Sequence, residues 1–593
     1  MPAASDPPAV PTGRRVVDVV RFPTDEPPEI VDVLVVGAGP AGLGTAVELE
    51  RHGVSVAVVD GATQASLVRA GAMGHSARVV ELFRRWGLLQ RIRDEWTIPP
   101  EWDRGHLVLT SLAGHELAGT RHRSFTSDPR GVRGGTETGI RRPQTVLQKV
   151  FLERLAERGV AVAGGWRATG LAEDADRVVL TVEHTQTGRT RKIHSRYLVG
   201  ADGGRSFVRR AAGIERDGAY ATERHFRFVV RTRSDTSAVL GPQPSGTNVI
   251  VNETYAGFLA ALDETHWRAY AGPYALGEQP TEEELRALGR SAFGFDVDLD
   301  VVSATPYFKS TRIAQAFRRG RVLLVGDAAH VRTPGGNLGE GFGDIANLGW
   351  KLAATLRGDA GEALLDSYDA ERRPHNWRVA DHALQRAEAA EQAVRRIRAG
   401  GVPADDDTSE AADARRVEIG RLLDGEGPTP GVTFDERYDA SPVVAYEPGQ
   451  HQADPPWSPF AYAPTGAPGH RAPNGYIDPY GGTLYDRLGS HLALLVLGQD
   501  QAAVAPFLTA ARERGIELEV IHLADADARA VYGRDYALVR PDLHVAWRGE
   551  GTVAGSESEA GALLDLVYGR VPAAADDLAP VQRELAGVGS ADR

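Results

Sequence analysis

Six residues, Gly37-Ala38-Gly39-Pro40-Ala41-Gly42, constrain the fold of this chain more than any other segment. They follow the Val-rich run Val31 to Val36 and open an amphipathic stretch from Ala41 to His52; a second apolar run, Val54 to Val59, ends at Asp60. Apolar runs of strand length on either side of a helical period predict a βαβ unit and therefore an α/β fold. Each glycine has its own use: Gly37 permits the tight turn, Gly39 lets backbone approach a pyrophosphate, and Gly42 allows close helix–strand packing. The helix N-terminus then turns its positive dipole end towards the phosphates. Asp60, 18 residues after Gly42, stands where a carboxylate accepts hydrogen bonds from a ribose. The pattern points to a bound dinucleotide and by itself does not separate FAD from NAD.

Two later segments repeat one theme. In Tyr197-Leu198-Val199-Gly200-Ala201-Asp202-Gly203-Gly204-Arg205-Ser206-Phe207-Val208-Arg209 and in Gly320-Arg321-Val322-Leu323-Leu324-Val325-Gly326-Asp327-Ala328-Ala329-His330, an apolar strand delivers a Gly/Asp pair at its C-terminal end. Ligands of open α/β sheets sit at such ends. A carboxylate there binds polyol hydroxyls, and the small Ala328 and Ala329 allow backbone close to a cofactor. Either segment alone reads equally as a strand followed by an Asp-capped turn. The pair, about 125 residues apart behind a glycine fingerprint, makes coincidence a poor account.

Composition narrows the chemistry. No cysteine occurs in 593 residues, which excludes disulfides, thiolate nucleophiles, Cys-ligated zinc and iron–sulfur clusters; redox chemistry then falls to a bound cofactor or a non-thiol metal site, and of the two no metal is expected. Lysine is confined to Lys149, Lys192, Lys309 and Lys351 against many arginines, a coding bias rather than a nucleic-acid signature. The net charge of −13 argues further against a polyanion partner. No apolar run approaches the roughly 18 residues of a membrane span, and the start of the chain lacks the apolar stretch of a secretory signal. A cytoplasmic protein without nucleic-acid or membrane partner is expected.

The organisation expected is an N-terminal arm over 1–30, a first part of the nucleotide domain over 31–215, and an inserted antiparallel sheet over 216–319. That insert is read from short alternating segments such as His225–Arg231, Thr247–Val251 and Gly257–Leu262. The nucleotide domain resumes over 320–400, with a helix from Asp344 to Leu356. A linker or solvated helical segment (401–455) follows, its acidic stretch being Ala404 to Arg415. The Pro- and Gly-dense run from Pro455 to Pro473 marks a boundary. Beyond it, 456–575 reads as an α/β unit of thioredoxin-like size before a tail, 576–593. Without a Cys pair that unit performs no dithiol chemistry; packing or dimerisation is its expected use, and a homodimer is a candidate assembly.

Taken together, the three motifs resemble those of the class A flavoprotein monooxygenases, the para-hydroxybenzoate hydroxylase-like family, whose signatures are GxGxxG, DGxxSxVR and GDAAHxxxP. Asp202-Gly203, Ser206 and Val208-Arg209 match the second; Gly326-Asp327, His330 and Pro334 match the third. Arg69-Ala70, Gln144 with Leu147, Asn347-Leu348, Trp350-Lys351-Leu352 and Glu371-Arg372-Arg373-Pro374 are weaker shared features. Arg471-Ala472-Pro473 and Tyr536 to Trp547 are similar to the thioredoxin-like tail of larger members. The likeness covers about 30 to 575 and is strongest to bacterial hydroxylases that tailor aromatic polyketides.

The resemblance implies a Rossmann-like FAD-binding domain, an inserted antiparallel-sheet substrate domain and a thioredoxin-like C-terminal α/β domain. It further implies FAD as cofactor and NADPH or NADH as a transient co-substrate, since no second GxGxxG follows. Gly37, Gly39, Pro40, Ala41, Gly42, Asp60 and Gly61 would hold the ADP half of FAD. Arg69 and Gln144 would contact pyrophosphate or ribityl oxygens, Asp202 and Gly203 would touch FAD and the nicotinamide path, and Gly326 with Asp327 would bind the ribityl chain. Pro334, Gly335, Gly336, Leu338 and Gly339 would form the loop beside the isoalloxazine ring, the nearest thing to a catalytic element where no side-chain nucleophile is required. That loop departs from the family's PxGGxGMNxG: the run Pro334 to Gly341 is about two residues shorter before Asp344, and the usual Asn has no clear counterpart. His330 is expected to support the loop rather than act as a base.

The implied chemistry is reduction of FAD by NAD(P)H, reaction with O2 and oxygen transfer to an electron-rich ring through a flavin C4a-hydroperoxide. Phe226, Phe228, Tyr255, Phe258, Trp267 and Tyr270 of the insert form an aromatic set suited to a flat ligand, although aromatics at strand spacing are more often core. Aromatic hydroxylation stands beside two alternatives: Baeyer–Villiger insertion or flavin oxidation without oxygen transfer, and a non-catalytic flavin- or ligand-binding protein.

Overall fold

In the computed structural model the described residues are 19–66, 73–99, 102, 105–117, 135–221, 223–233, 240, 246–332, 337–423, 429–475, 477, 480–499, 501–523, 526–550 and 556–571. β1 (Ile30–Val36) leads through the glycine turn into α1 (Pro40–Arg51) and β2 (Val56–Asp60). α2 (Ala77–Arg85), β3 (His106–Leu109), α3 (Gln144–Glu157) and β4 (Ala161–Gly164) follow. Next comes a meander of β5 (Trp166–Glu173), β6 (Val178–His184) and β7 (Thr190–Gly200). A second layer is built from β8 (Glu223–Thr232), β9 (Thr247–Val251), β10 (Ala256–Ala261), β11 (His266–Ala275), α4 (Glu282–Phe293) and β12 (Leu299–Tyr307). The chain returns as β13 (Val322–Leu324) and continues into α5 (Asn337–Arg357), α6 (Glu362–Ala399) and α7 (Glu410–Leu423). β14 (Leu492–Val496), α8 (Val504–Glu513), β15 (Leu518–His522), β16 (Tyr536–Val539), β17 (Val545–Gly549) and α9 (Glu557–Val567) form a third unit.

The first sheet runs β13-β7-β1-β2-β4, every neighbour parallel. Both its faces are covered where Val33 to Val36 of β1 and Val56 to Val59 of β2 run, which is why those stretches are unbroken apolar sequence. β7 changes character along its length. Its first half alternates exposed and buried residues and pairs antiparallel with β6; Tyr197 to Gly200 are buried in succession where it pairs with β1 and β13. One strand thus serves a half-solvated ribbon and a buried parallel sheet.

The second sheet runs β12-β8-β11-β10-β9-β3. It is antiparallel as expected of the insert, except that β3, from far earlier in the chain, joins its edge parallel to β9. One face packs on α4 through Phe226, Phe228, Trp267, Leu285 and Phe293. The third sheet runs β15-β14-β16-β17, parallel at β14–β15 and antiparallel elsewhere. Its residues pack on Trp350 of α5 and on α8 and α9. The acidic stretch Ala404 to Arg415 is exposed along most of its length and runs into α7; Asp405 accepts a hydrogen bond from Ser111 at 2.6 Å, and farther along α7 Ile419 is buried with Val108, Val251 and Ile397.

Candidate active site

β13, β7 and β1 are adjacent and parallel, so the three Gly/Asp turns leave from one edge of the sheet. Backbone bonds lace them together: Gly37 N to Val59 O (2.8 Å), Ala201 N to Val36 O (2.8 Å) and Val325 N to Gly200 O (3.0 Å). The packing explains the residue types. Gly37 has φ +115°, and a Cβ on it would lie 2.4 Å from the Ala201 carbonyl oxygen; a Cβ on Gly42 would lie 1.8 Å from the Gly37 carbonyl oxygen. Gly39, by contrast, faces open space, with no atom within 4 Å of such a Cβ. Gly326 packs on Ala41, and the backbone of Gly341 presses on Gly326; Ala328 and Ala329 are buried beside them.

Asp60 organises the first turn. Its carboxylate accepts from Ala38 N and Ala62 N, both at 2.7 Å; burial nevertheless raises its pKa, outweighing the two N–H donors. Gly61 lies against Arg167. Gln144 opens α3 half-buried, while Gln148, one turn later, donates to the Ala38 carbonyl at 2.9 Å. Sequence reasoning missed Gln148; only its helical spacing from Gln144 marked it.

Asp202 uses one carboxylate oxygen to accept from Phe207 N (2.6 Å) and Val208 N (3.0 Å), capping the short helix Phe207–Ala211. Its other oxygen is buried without a hydrogen-bond partner among the described residues. Asp327 is exposed at the edge of its turn and accepts from the Asn337 side-chain amide. Beneath it, fully buried Asp344 accepts from Gly326 N (3.0 Å), His330 Nε2 (2.7 Å) and Arg372 Nε (2.9 Å). Burial works against charge on Asp344, but His330 and Arg372 outweigh it and hold the carboxyl below its ordinary range. His330 Nδ1 lies 3.0 Å from Asn337 Oδ1. His330 therefore braces the turn from inside. Asn337, whose motif counterpart was not visible in the sequence, joins His330 to Asp327.

Arg216 lies outside every motif, and nothing in the sequence distinguished it. Its guanidinium donates to the carbonyls of Gly204 (2.9 Å), Asp327 (2.6 Å) and Ala328 (3.2 Å), tying the second turn to the third. Burial first, then neighbouring Arg209 and Arg312, push its pKa down to about 10.

Arg69 and the loop residues Pro334, Gly335 and Gly336 lie outside the described residues. Leu338 and Gly339 occupy the first turn of α5, where Leu338 packs on the main core and Gly339 on Val79 of α2.

The six aromatics of the insert divide between the two faces of the second sheet. Phe226, Phe228 and Trp267 point away from the turns into the core under α4, and Tyr255 is buried in the same core. Alternation along β8 and β11 puts Phe226, Phe228 and Trp267 on the covered face. Tyr255 is also spoken for: its hydroxyl donates to Phe258 O (2.7 Å) and accepts from Tyr270 N (3.1 Å). Phe258 and Tyr270 alone occupy the other face, their rings 6.4 Å apart.

Behind the turns, ion pairs join α2, α5 and α6 to the C-terminal unit. Arg78 donates to Glu340 (2.8 Å) and Glu436 (2.6 Å), and Arg372 pairs with Glu436. Glu371 takes Lys351 at 2.6 Å and both terminal nitrogens of Arg540, at 2.6 and 2.8 Å; Asp542 takes Arg540 and Asn347. Glu340, His375 and Glu436 come within 4.8 Å of one another, but Arg78 and Arg372 already supply the positive charge between them.

The chain matches the FAD binding domain family over residues 30–383 and the aromatic-ring hydroxylase C-terminal family over residues 465–570. It is 30% identical over 562 residues to 4-methyl-5-nitrocatechol 5-monooxygenase of a Burkholderia species, covering 89% of this chain and 95% of that protein. Tetracenomycin B2 monooxygenase-dioxygenase of Streptomyces olivaceus is 30% identical over 568 residues, 91% of this chain and 98% of that one. Among solved structures, the ternary complex of aklavinone-11 hydroxylase with FAD and aklavinone superposes with a TM-score of 0.75 at 25% identity, covering 91% of this chain and 99% of the other. Two matched families in order and full-length relatives at this identity lead to one assignment: the chain belongs to the FAD-dependent aromatic-ring hydroxylases.

Proposed function

We propose that this chain uses FAD, NAD(P)H and O2 to hydroxylate an aromatic substrate of polyketide type. The observation that carries the reading is the convergence of three Gly/Asp turns at the ends of three adjacent parallel strands. The residues present fit FAD. Gly39 leaves an open cradle at the head of α1; the buried free oxygen of Asp202 and the exposed carboxylate of Asp327 are acceptors without enough protein donors. Ribose and ribityl hydroxyls are donors of the complementary kind. The relatives named for tetracenomycin B2 and aklavinone support the polyketide class.

In this reading Gly37, Gly39, Pro40, Ala41, Gly42 and Gly61 present backbone to the ADP half, and Asp60 accepts from its ribose. Arg69 and Gln144 meet pyrophosphate or ribityl oxygens, Asp202 and Gly203 line the path to the nicotinamide, and Gly326 with Asp327 holds the ribityl chain. Pro334, Gly335, Gly336, Leu338 and Gly339 lie beside the ring. When bound, FAD accepts hydride from NAD(P)H and activates O2. The protein orients the substrate and keeps water out, a task suited to the apolar cluster of Met73, Val229, Ala260 and Leu262 on the open sheet face. His330 and Asp344 hold the third turn rigid.

The domain limits 31–215, 216–319, 320–400 and 456–575 belong to the same proposal, as do a homodimer and a cytoplasmic setting in which NAD(P)H is supplied. No helix among the described residues is long and apolar enough to cross a membrane. The test is Asp327→Ala. Removing the acceptor from the ribityl chain is expected to lower FAD affinity by about tenfold or more, giving colourless protein after purification. A variant that keeps its full visible flavin absorbance overturns the assignment.

A further inference from the structure

α2, α5 and the turn between β16 and β17 meet around a cavity of about 40 Å³ where the FAD-binding part joins the C-terminal unit; Leu82, Arg85, Phe342, Ala346, Asn347 and His544 are among its lining. Each of the three elements brings to it one polar atom with no hydrogen-bond partner among the described residues: Arg85 Nε, Asn347 Oδ1 and His544 Nε2. Asn347 and His544 are only 0% and 2% exposed. The rest of each side chain is fixed, so these atoms cannot turn elsewhere. Arg85 Nη2 donates to the carbonyls of Gly489 (3.2 Å) and Pro541 (2.9 Å). Asn347 Nδ2 donates to the carboxylates of Glu371 (2.6 Å) and Asp542 (3.0 Å), which leaves Oδ1 as an unmet acceptor. His544 stacks on Tyr438 with ring centroids 4.1 Å apart, and its Nδ1 is 3.1 Å from the Asp542 carbonyl. A carbonyl only accepts, so Nδ1 carries the proton and Nε2 of the neutral ring is a second acceptor.

Two acceptors and one donor around one cavity call for a guest with both donors and acceptors. The charges in its wall are already matched: Glu436 takes Arg78, Asp542 takes Arg540 and Glu81 takes Arg471, while Glu48 acts electrostatically on Arg85. No net charge is asked of the guest. Size narrows it further. One water needs roughly 10–15 Å³ of such space, whereas a benzene-sized ring fills a cavity of about 150 Å³. The space therefore suits about two or three waters and excludes an aromatic ligand. Water offers two donors and two acceptors, and a buried polar group bridged by water is far less costly than one left unpaired.

We infer that this cavity is a binding site for about two or three ordered water molecules, and that they complete the contact between α2, α5 and the β16–β17 turn through hydrogen bonds the side chains alone leave unmade. The inference is independent of the hydroxylase reading, because it concerns how the C-terminal unit is held. The first test is a crystal structure of the FAD-loaded, full-length protein at a resolution that shows ordered water. Density is expected within about 2.7–3.2 Å of Asn347 Oδ1, His544 Nε2 and Arg85 Nε. A cavity without density overturns the inference. So does an anomalous peak there after a bromide soak, which makes the guest an anion.

The second test compares the Tm of Ala346→Ser with that of Ala346→Val. Ser and Val cost a helix alike, and both side chains enter the cavity that Ala346 lines. Ser replaces a displaced water with a hydroxyl, whereas Val leaves the polar atoms unpaired. The Ser variant is expected to melt at least about 2 °C above the Val variant. A Val variant that melts within that margin of the Ser variant, or above it, behaves as an apolar filler of a dry cavity and also overturns the inference. Where either variant fails to fold, the crystallographic test decides.

Discussion

His75 shows how a single residue ties this fold to pH. It is fully buried on the FAD-binding part, its Nε2 2.9 Å from the Arg142 carbonyl. Burial pushes its pKa down to about 4 from 6.5. Below pH 6.5 the unfolded chain therefore binds a proton that the folded chain refuses. The contribution is fully present above 6.5 and is lost as pH falls towards 4, by about 3 kcal/mol in total at roughly 1.4 kcal/mol per unit. Denaturant melts between pH 7 and 4 should show that slope in the wild type and a clearly flatter one in His75→Gln, which keeps a donor for the carbonyl. An equal slope in both would remove His75 from the account. Glu48, held down to about 2 with His52, Arg51 and Arg85 opposing its burial, adds acid sensitivity only below about 4.5, so the two windows are separable.

At the scale of elements, the strongest prediction concerns the seam between α6 and the β16–β17 turn. Arg540 is fully buried with Glu371 and Asp542 as partners. Arg540→Met leaves two carboxylates short of charge, and breaking such a pair costs about 3–5 kcal/mol; adding Glu371→Gln should recover part of the loss. Chemical denaturation of the single and double variants checks this, and purely additive losses would sink the idea of a shared pair. The elements themselves were legible where local rules act alone. The glycine turn, β1, β2 and the two later strand-end turns follow from residue type and periodicity, because each rests on contacts within its own segment. β3 was not legible, since its partner β9 lies about 140 residues away and nothing local announces a parallel edge. The two faces of the insert were not legible for a related reason. Alternation distinguishes two faces but does not say which one meets the cofactor turns, so the six aromatics could not be sorted between the faces from their spacing. Asn337, Gln148 and Arg216 act through bonds to backbone or to residues of other segments, for which a sequence carries no signature.

For the molecule as a whole, the C-terminal unit is part of the hydroxylase body rather than an appendage. Trp350 of α5 sits in the same core as Leu494, Phe507 and Trp547, and Glu81 of α2 takes Arg471 at 2.7 Å. A chain cut after residue 455 would expose that core face and strand Glu371 and Lys351 without Arg540. It is expected to aggregate or to purify without flavin, read by size-exclusion chromatography and visible absorbance. A truncated protein that keeps FAD and melts within about 2 °C of full length, where 1 kcal/mol corresponds to a few degrees, would show the unit to be dispensable.

The buried meeting of Glu371, Lys351, Arg540, Asp542 and Asn347 also limits how this architecture tolerates recombination. A chimera that borrows the last 140 or so residues from a relative will assemble only if the donor brings a guanidinium and a carboxylate to these two places, whatever its overall likeness. Crossover points chosen inside the seam should fail far more often than points that carry both sides of it together, so inheritance of the tail is matched to α5 and α6 rather than to the ligand.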